Sequence, residues 1–300
     1  MKDLTIGMIG LDTSHALAFA RLLNDPEETY HVKGARVAIA YPGGTEDFEL
    51  SRSRVGGFTS ELRDRFGVSI ADTMETVAEK SDAILLESVD GRVHLEQLRQ
   101  IISYKKPIFI DKPFCLSTKD AKEMVRLSEQ YQTPIMSTSA LRFSEGLTRV
   151  LDNQSKGEII GADCFGPMEL QEEQPGFFWY GIHSVEMLFT ILGEGSEQVV
   201  TVKNDDYDLL TGVWKDGRIG TVRGNRKGNF QFGAMVHFEE GSEFVSIHSE
   251  QKPYYASLLE QIMFFFEDGV SRVPLSETRE IIRFIEAANE SRESGKSVLI

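Results

Sequence analysis

Short apolar runs alternate with amphipathic helical patterns through the first part of the chain, up to about residue 140. The runs typical of buried strands lie at 4–10, 35–41, 68–70, 82–88, 107–111 and 134–139. Helical patterns begin at Thr13 and cover 59–66, 73–80, 94–104 and 118–131, with a polar, glycine-containing stretch at 42–57. This alternation predicts βαβ units and a parallel sheet with helices on both faces.

The pattern changes after residue 139. Two helices are predicted at 144–154 and 183–192, followed by strands at 198–203, 208–214, 218–225, 230–238 and 243–248. Two late helices, at 254–267 and 276–293, precede a terminal strand at 297–300. Turns such as KDGR and EEGSE separate several of the strands, as they do in antiparallel hairpins.

These patterns predict an α/β protein of two domains. Residues 1–139 form an N-terminal Rossmann domain with a doubly wound parallel sheet, expected to bind a dinucleotide. Residues 140–300 form a C-terminal α+β domain with an open, largely antiparallel sheet, expected to serve substrate binding and oligomerisation. Because such a sheet can pair with a copy of itself, we expect a homodimer or homotetramer.

Composition narrows the choice of partners. The 300 residues are 41% hydrophobic and 26% charged, a globular mixture, and the net charge of −15 argues against nucleic acid or an anionic membrane. Cys115 and Cys164 are far apart and show no metal-ligand spacing. We see no signal peptide and no apolar run of membrane-spanning length. We expect a cytoplasmic protein that binds a small molecule, with no resident metal.

The stretch IGMIGLDTSH occupies the place of the first strand and turn of the Rossmann domain. The usual turn is G-x-G-x-x-G, whereas here only Gly10 remains, and Asp12 and His15 stand at the second and third glycine positions. Asp12 could cap the following helix with help from Thr13 and Ser14. A carboxylate on those N–H groups would compete with a pyrophosphate, so we expect Asp12 to weaken dinucleotide binding.

Five further segments carry a family resemblance. The strand end IFIDKPFCLS contains Asp111-Lys112-Pro113, and SDAILLESVDGRVHLEQL before it ends on a turn with His94. After it come LRF, with Arg142, and FFWYGIHSVEMLFTILG, with His183. The tail, IIRFIEAANESRESGKSVLI, is similar to a closing helix and strand. In order and spacing, the chain resembles the Gfo/Idh/MocA oxidoreductases over essentially its whole length.

The resemblance implies an NAD(P)-dependent oxidoreductase that acts on a sugar, an inositol or a related polyol by hydride transfer. Removal of the hydroxyl proton needs a base with a pKa near 7, and a lysine can stabilise the developing charge on oxygen. The family pattern gives these roles to His183 and Lys112, which are expected to meet across the cleft between the domains.

The same pattern gives the remaining site residues. The cofactor-binding residues it predicts are Gly10, Leu11, Asp12, Thr13, Ser14, Tyr41, Glu87, His94, Asp111, Lys112 and Pro113. The substrate-binding residues it predicts are Arg142, Trp179, Tyr180 and His183.

The chain departs from the family at several of these positions. Trp179 stands where an aspartate usually supports the active-site histidine, so a different acid would have to replace it, or the chemistry is altered. The candidate acids are Glu186, Glu169, Glu172 and Glu173. Tyr41 stands where an acid usually holds the adenosine ribose, and Arg52 and Arg54 nearby could favour a 2′-phosphate, so NAD and NADP both remain open.

Glu87 and Asp90 add negative charge near the expected cofactor. A cation held by Asp12, His15 and Glu87 is one alternative for these acids. Two alternative functions also remain. One is a non-redox family member that serves as a ligand-binding or regulatory protein, and the other is a lyase or hydrolase that uses a tightly bound NAD.

Overall fold

A computed structural model describes residues 3–248 and 251–300 of the chain. Two compact units are present. The first comprises Met1–Cys115, Lys119–Thr138 and Tyr255–Leu275, and the second comprises Leu116–Thr118, Ser139–Tyr254 and Ser276–Ile300. The late segment Tyr255–Leu275 thus returns to the first unit, which the sequence pattern did not indicate. The domain extents 1–139 and 140–300 stay a prediction.

The first unit is built on a parallel sheet, as predicted. Within the described residues it has six strands in the order β3-β2-β1-β4-β5-β6. The strands are β1 (Leu4–Ile9), β2 (Ala35–Tyr41), β3 (Ser69–Ile70), β4 (Ala83–Leu86), β5 (Ile108–Ile110) and β6 (Ile135–Ser137). The strand order reverses between β1 and β4, which is the position where open α/β sheets bind their ligands.

Six helices accompany this sheet in the described part of the chain. They are α1 (Ser14–Asn24), α2 (Glu49–Phe66), α3 (Met74–Lys80), α4 (His94–Ile101), α5 (Thr118–Tyr131) and α8 (Tyr254–Asp268). β4 is buried along its whole length, as expected for a parallel strand covered on both faces. Among the described residues, no helix is long and apolar enough to cross a bilayer.

The predicted helix 59–66 begins too late, because α2 starts at Glu49. Only Ser51 and Leu62 of this helix are buried, so the sequence carries no apolar stripe to mark its first half. Gly56 and Gly57 lie inside the helix, where each glycine costs about 1 kcal/mol relative to alanine. The first half of α2 contributes to the site, because the Ser51 hydroxyl donates a hydrogen bond to Asp12 of the glycine turn.

The second unit contains a mostly antiparallel sheet, which confirms the predicted fold class. Its described strands run in the order β12-β11-β7-β10-β9-β8-β13. They are β7 (Ile159–Pro167), β8 (Ser196–Lys203), β9 (Tyr207–Trp214), β10 (Ile219–Asn225), β11 (Gly233–Phe238), β12 (Gly241–Ser246) and β13 (Val298–Leu299). Helices α6 (Glu145–Asp152), α7 (Gly181–Leu192) and α9 (Leu275–Ser294) complete the unit.

The sequence prediction missed β7, the strand that pairs in parallel with β10. The small residues Gly161, Ala162 and Gly166 along β7 weaken its hydrophobic signal. They are needed because the strand is closely covered. A methyl group added at Gly166 would collide with the Phe232 ring and the Ser184 hydroxyl. Close packing of the sheet therefore selects residues that a periodicity argument does not count as strand-forming.

Candidate functional site

The carboxyl ends of β1, β4 and β5 lie side by side in the first unit. Leu86 pairs with Ile9 on one side and with Ile110 on the other. The next residue of each strand extends this register, and the resulting row consists of Gly10, Glu87 and Asp111. The Glu87 N–H donates to the Ile9 carbonyl at 2.6 Å, and the Asp111 N–H donates to the Leu86 carbonyl at 2.8 Å. The sheet ladder thus fixes the positions of both acids.

Gly10 is required by the packing of its turn. Its φ is +87°, and an added methyl group would collide with the backbone nitrogen of Ser88. The N–H groups of Gly10 and Leu11 donate to the carbonyls of Tyr41 and Pro42 at 3.0 and 2.8 Å. These bonds hold the loop after β2 against the turn. The predicted residues Gly10, Leu11 and Tyr41 therefore lie together, and their cofactor contacts stay a prediction.

Asp12 does not cap α1, which corrects the expectation from sequence. The cap is Thr13, whose hydroxyl accepts from the His15 N–H. The buried Asp12 carboxylate instead accepts from the Val89 N–H at 2.9 Å and from the Ser51 hydroxyl at 2.6 Å. Burial raises the pKa of Asp12, and these two hydrogen bonds oppose that effect. The N–H groups at the start of α1 are consequently not occupied by this carboxylate.

His15 is directed towards the row of strand ends. Its Nδ1 lies 2.7 Å from Oδ2 of Asp111. Donor atoms of His15, Glu87 and Asp111 all lie within 4.8 Å of one another, and all three residues are buried. The cation alternative drawn from the sequence is therefore wrong about Asp12, because Asp111 takes its place in the group. The ring of His15 packs against Tyr255 of α8, with the ring centroids 4.9 Å apart.

The electrostatics of this group follow from burial. Burial and the charge of Asp111 raise the pKa of Glu87 well above its usual value, with Lys112 opposing. Burial would also raise the pKa of Asp111, but His15 and Lys112 outweigh it and lower that pKa. Burial lowers the pKa of Lys112, with both carboxylates opposing. Two acids and one amine at the strand ends, together with the imidazole of His15 from α1, thus form a buried group of ionisable side chains.

His94 braces the loops beside this group. Its Nε2 lies 2.8 Å from the Ser88 carbonyl, and its Nδ1 lies 3.0 Å from the carbonyl of Pro113. The His94 ring is fully buried. Its contact with a cofactor stays a prediction. The surroundings are less acidic than expected, because Asp90 forms an ion pair with Arg92 at 2.8 Å.

In the second unit, His183 is held by a hydroxyl group. A hydrogen bond of 2.7 Å joins its Nδ1 to Oγ of Ser139, which also accepts from the Leu141 N–H. The rings of Tyr180 and Phe232 lie 5.8 and 5.6 Å from the imidazole. Sequence reasoning missed Ser139, which takes the position that it had assigned to an acid. No local signal marks that serine, because it lies 44 residues from His183.

Arg142 and Glu186 belong to a separate buried cluster. The Arg142 guanidinium donates to Glu186 at 3.2 Å and to Glu277 of α9 at 2.6 Å. Glu186, which the sequence offered as support for the histidine, thus pairs with Arg142. Trp179 is buried with its ring 6.0 Å from that of Tyr180. Substrate contacts by Arg142, Trp179 and Tyr180 stay predictions.

Comparison with known proteins supports the family resemblance. The model of the Gfo/Idh/MocA family, described as an oxidoreductase family with an NAD-binding Rossmann fold, matches residues 4–139. The matched residues include the glycine turn, the two acids at the strand ends and Lys112. Over this region, the match supports membership of the Gfo/Idh/MocA family.

Curated proteins similar to this chain are named as inositol 2-dehydrogenases and as a 1,5-anhydro-D-fructose reductase. This chain is 25% identical to inositol 2-dehydrogenase of Mycolicibacterium gilvum over 215 residues, 68% of this chain and 56% of that protein. It is 24% identical to inositol 2-dehydrogenase 2 of Mycolicibacterium vanbaalenii over 169 residues, 55% of this chain and 45% of that protein. The matches thus span about half the length of these relatives.

Solved structures share the fold of this chain. A probable dehydrogenase from Thermotoga maritima superposes with a TM-score of 0.80 at 18% identity, covering 99% of both chains. Myo-inositol dehydrogenase from Lactobacillus casei, in complex with NAD(H) and myo-inositol, gives a TM-score of 0.77 at 16% identity. That match covers 99% of this chain and 97% of the other.

Proposed function

We propose that this protein is an NAD(P)-dependent oxidoreductase that acts on a sugar, an inositol or a related polyol by hydride transfer. The observation that carries the proposal is the row of β1, β4 and β5 ends, which bears the Gly10 turn and Lys112 in a family whose Rossmann domain binds NAD. The polyol class is supported by relatives named as inositol 2-dehydrogenases.

The glycine turn fits a dinucleotide in spite of its altered sequence. The Asp12 carboxylate is bonded to Val89 and Ser51, so it does not compete for the N–H groups at the start of α1. Thr13 and Ser14 would hold the diphosphate there, whereas the N–H groups of Gly10 and Leu11 already donate to the Tyr41 and Pro42 carbonyls and shape the turn. When bound, NAD or NADP supplies the acceptor for the hydride.

His183 is proposed as the acid/base, and Lys112 as the residue that stabilises negative charge on the substrate oxygen. The hydrogen bond between Ser139 Oγ and Nδ1 fixes the imidazole orientation, and Nε2 is the atom proposed to take the proton of the substrate hydroxyl. A hydroxyl neighbour adds no negative charge, unlike the aspartate usual in the family. Positioning of the ring is therefore the contribution expected of Ser139.

A substrate screen tests the proposal. Sugars, inositols and polyols are incubated with each cofactor while the absorbance of reduced nicotinamide is followed. Once a substrate is found, His183→Ala should lower kcat by about a hundredfold to ten-thousandfold, because a general base contributes that much. Its affinity for NADH should be unchanged. His237→Ala is the matched control, since His237 lies on an exposed part of the sheet and pairs with Asp163.

Wild-type turnover in His183→Ala would refute the assignment of the base.

A non-redox binding role is the second candidate function. The buried carboxylates of Asp12, Glu87 and Asp111 favour it, because they concentrate negative charge near the phosphate-binding turn. Absence of dinucleotide binding would promote that candidate.

A further inference from the structure

Glu87 is a buried acid whose carboxylate oxygens have no visible partner. Its side chain is fully inaccessible, and neither oxygen has a hydrogen-bond partner among residues 3–248 and 251–300. Leaving a buried polar group unsatisfied costs free energy, and more so when the group is charged. The sheet ladder fixes the backbone of Glu87, and its buried carboxylate is therefore a candidate ligand for a bound cation.

The atoms around Glu87 form a chelating group. Nδ1 of His15 is 2.7 Å from Oδ2 of Asp111, yet Nδ1 has no aligned hydrogen-bond partner among the described residues. One donor atom from each of the three residues lies within 4.8 Å of the others. Two ligands bound at right angles to one ion, each at about 2.1 Å, lie about 3 Å apart. The 2.7 Å separation of His15 and Asp111 is close to this spacing, and all three donors lie within 4.8 Å of one another, so small side-chain shifts would bring them onto a single shared ion.

We propose that His15, Glu87 and Asp111 bind one divalent transition-metal ion, with Zn²⁺ and Mn²⁺ as the favoured class. One imidazole and two carboxylates form a mixed nitrogen and oxygen donor set, which suits these ions better than it suits Ca²⁺ or Mg²⁺. Three protein ligands leave coordination positions for water or for an oxygen of a bound molecule. The site needs no dinucleotide and does not depend on the proposed dehydrogenase activity.

Protonation of Glu87 alone would not provide hydrogen-bond partners for its carboxyl group. A neutral carboxyl group in this place would still lack a hydrogen-bond acceptor for its O–H and a donor for its carbonyl oxygen. A cation satisfies the Glu87 oxygens, Asp111 and His15 together. Lys112 also faces the two carboxylates, and its single charge does not balance both of them.

The surroundings of the group hold its members in place. Tyr255 and Phe19 pack on the His15 ring, with centroid distances of 4.9 and 6.2 Å. The backbone N–H groups of Glu87 and Asp111 are bonded within the sheet ladder. The ligands are thus carried by a helix and two strand ends, as expected of a preorganised site.

Metal binding by the wild-type chain and three variants tests the proposal. The chain is stripped with a chelator and dialysed against Zn²⁺ or Mn²⁺, and bound metal is measured by mass spectrometry. We expect one ion per wild-type chain and a rise in Tm on binding. Glu87→Gln and His15→Gln should weaken binding at least about tenfold, because even loss of an outer-shell partner costs that much.

His237→Gln is the matched control, because His237 also lies 2.8 Å from a carboxylate, that of Asp163, but on an exposed surface. It should bind metal like the wild-type chain. Three results would overturn the proposal: no ion retained by the wild-type chain, equal retention by Glu87→Gln and His15→Gln, or loss of the ion in His237→Gln.

A spectroscopic measurement covers the case in which a variant does not fold. Pulsed electron paramagnetic resonance of Mn²⁺ in the wild-type chain should show coupling to a directly bound imidazole nitrogen. A bound ion without any coupled nitrogen would also contradict the site.

Discussion

Each unit of the molecule buries a cluster with two carboxylates, and the two clusters are satisfied in different ways. In the second unit, Arg142 lies within hydrogen-bond distance of both Glu186 and Glu277. In the first unit, Glu87 and Asp111 share His15 and Lys112, and the Glu87 oxygens stay without hydrogen bonds within the described chain. The carboxylates of both clusters are buried to a similar extent. The clusters differ in whether the protein itself supplies hydrogen-bond donors to each carboxylate.

The two clusters differ in role: the charges of the second unit stabilise the fold, whereas those of the first unit are suited to bind a ligand. A buried pair with a well-placed guanidinium is complete, and it joins the 3₁₀ turn at Ala140–Phe143 to α7 and α9. A fixed carboxylate without a partner is costly, and such groups are characteristic of binding sites. Arg142→Met and Glu87→Met test this distinction, and Asp12→Ala tests a buried carboxylate that is bonded to the chain itself.

Arg142→Met should give the largest change in stability. Removal of the guanidinium leaves Glu186 and Glu277 buried without their cation, and breaking such a group typically costs about 3–5 kcal/mol. Denaturant unfolding measures the loss. Arg63→Met is the control, because Arg63 forms an exposed pair with Asp64, and exposed pairs contribute little to stability. A loss no larger than the control would show that the second cluster is not structural.

Asp12→Ala should destabilise the first unit by about 1–3 kcal/mol, because it leaves the buried Val89 N–H without an acceptor. Ser51→Ala removes only the second hydrogen bond and should cost less. Unfolding curves of both variants provide the measurement. An unchanged free energy of unfolding in Asp12→Ala would contradict the structural role of these hydrogen bonds. It would favour the role expected from the sequence, in which Asp12 caps α1.

Glu87→Met should have the smallest effect and the opposite sign. It removes an unsatisfied buried carboxylate and should stabilise the metal-free protein by about 1–2 kcal/mol. Glu186→Met is the matched comparison, because it removes a carboxylate whose partner is present and should destabilise. If Glu87→Met destabilises as much as Glu186→Met, the two clusters do not differ as described.

The fold was largely predictable because buried parallel strands leave short apolar runs. The prediction failed at β7 and at the start of α2. The glycines and alanine of β7 satisfy close packing, and α2 buries too few apolar residues to show a period. Both failures have a physical cause in tertiary contacts that a local pattern does not contain.

The site was predictable where it depends on strand ends. Glu87 and Asp111 follow buried strands, so their meeting at one sheet edge could be expected. The directions of Asp12 and His15 could not, because their partners Val89 and Asp111 lie far along the chain. The same holds for Ser139 beside His183. The expected oligomer and the cytoplasmic location stay predictions.

Direct binding of a reduced dinucleotide is the measurement that tests the central claim most closely. The purified wild-type chain is titrated with NADH and with NADPH while nicotinamide fluorescence is followed. The account predicts a saturable change with at least one of them below about 1 mM, the upper range of ordinary enzyme affinities. No saturable change with either dinucleotide would contradict it.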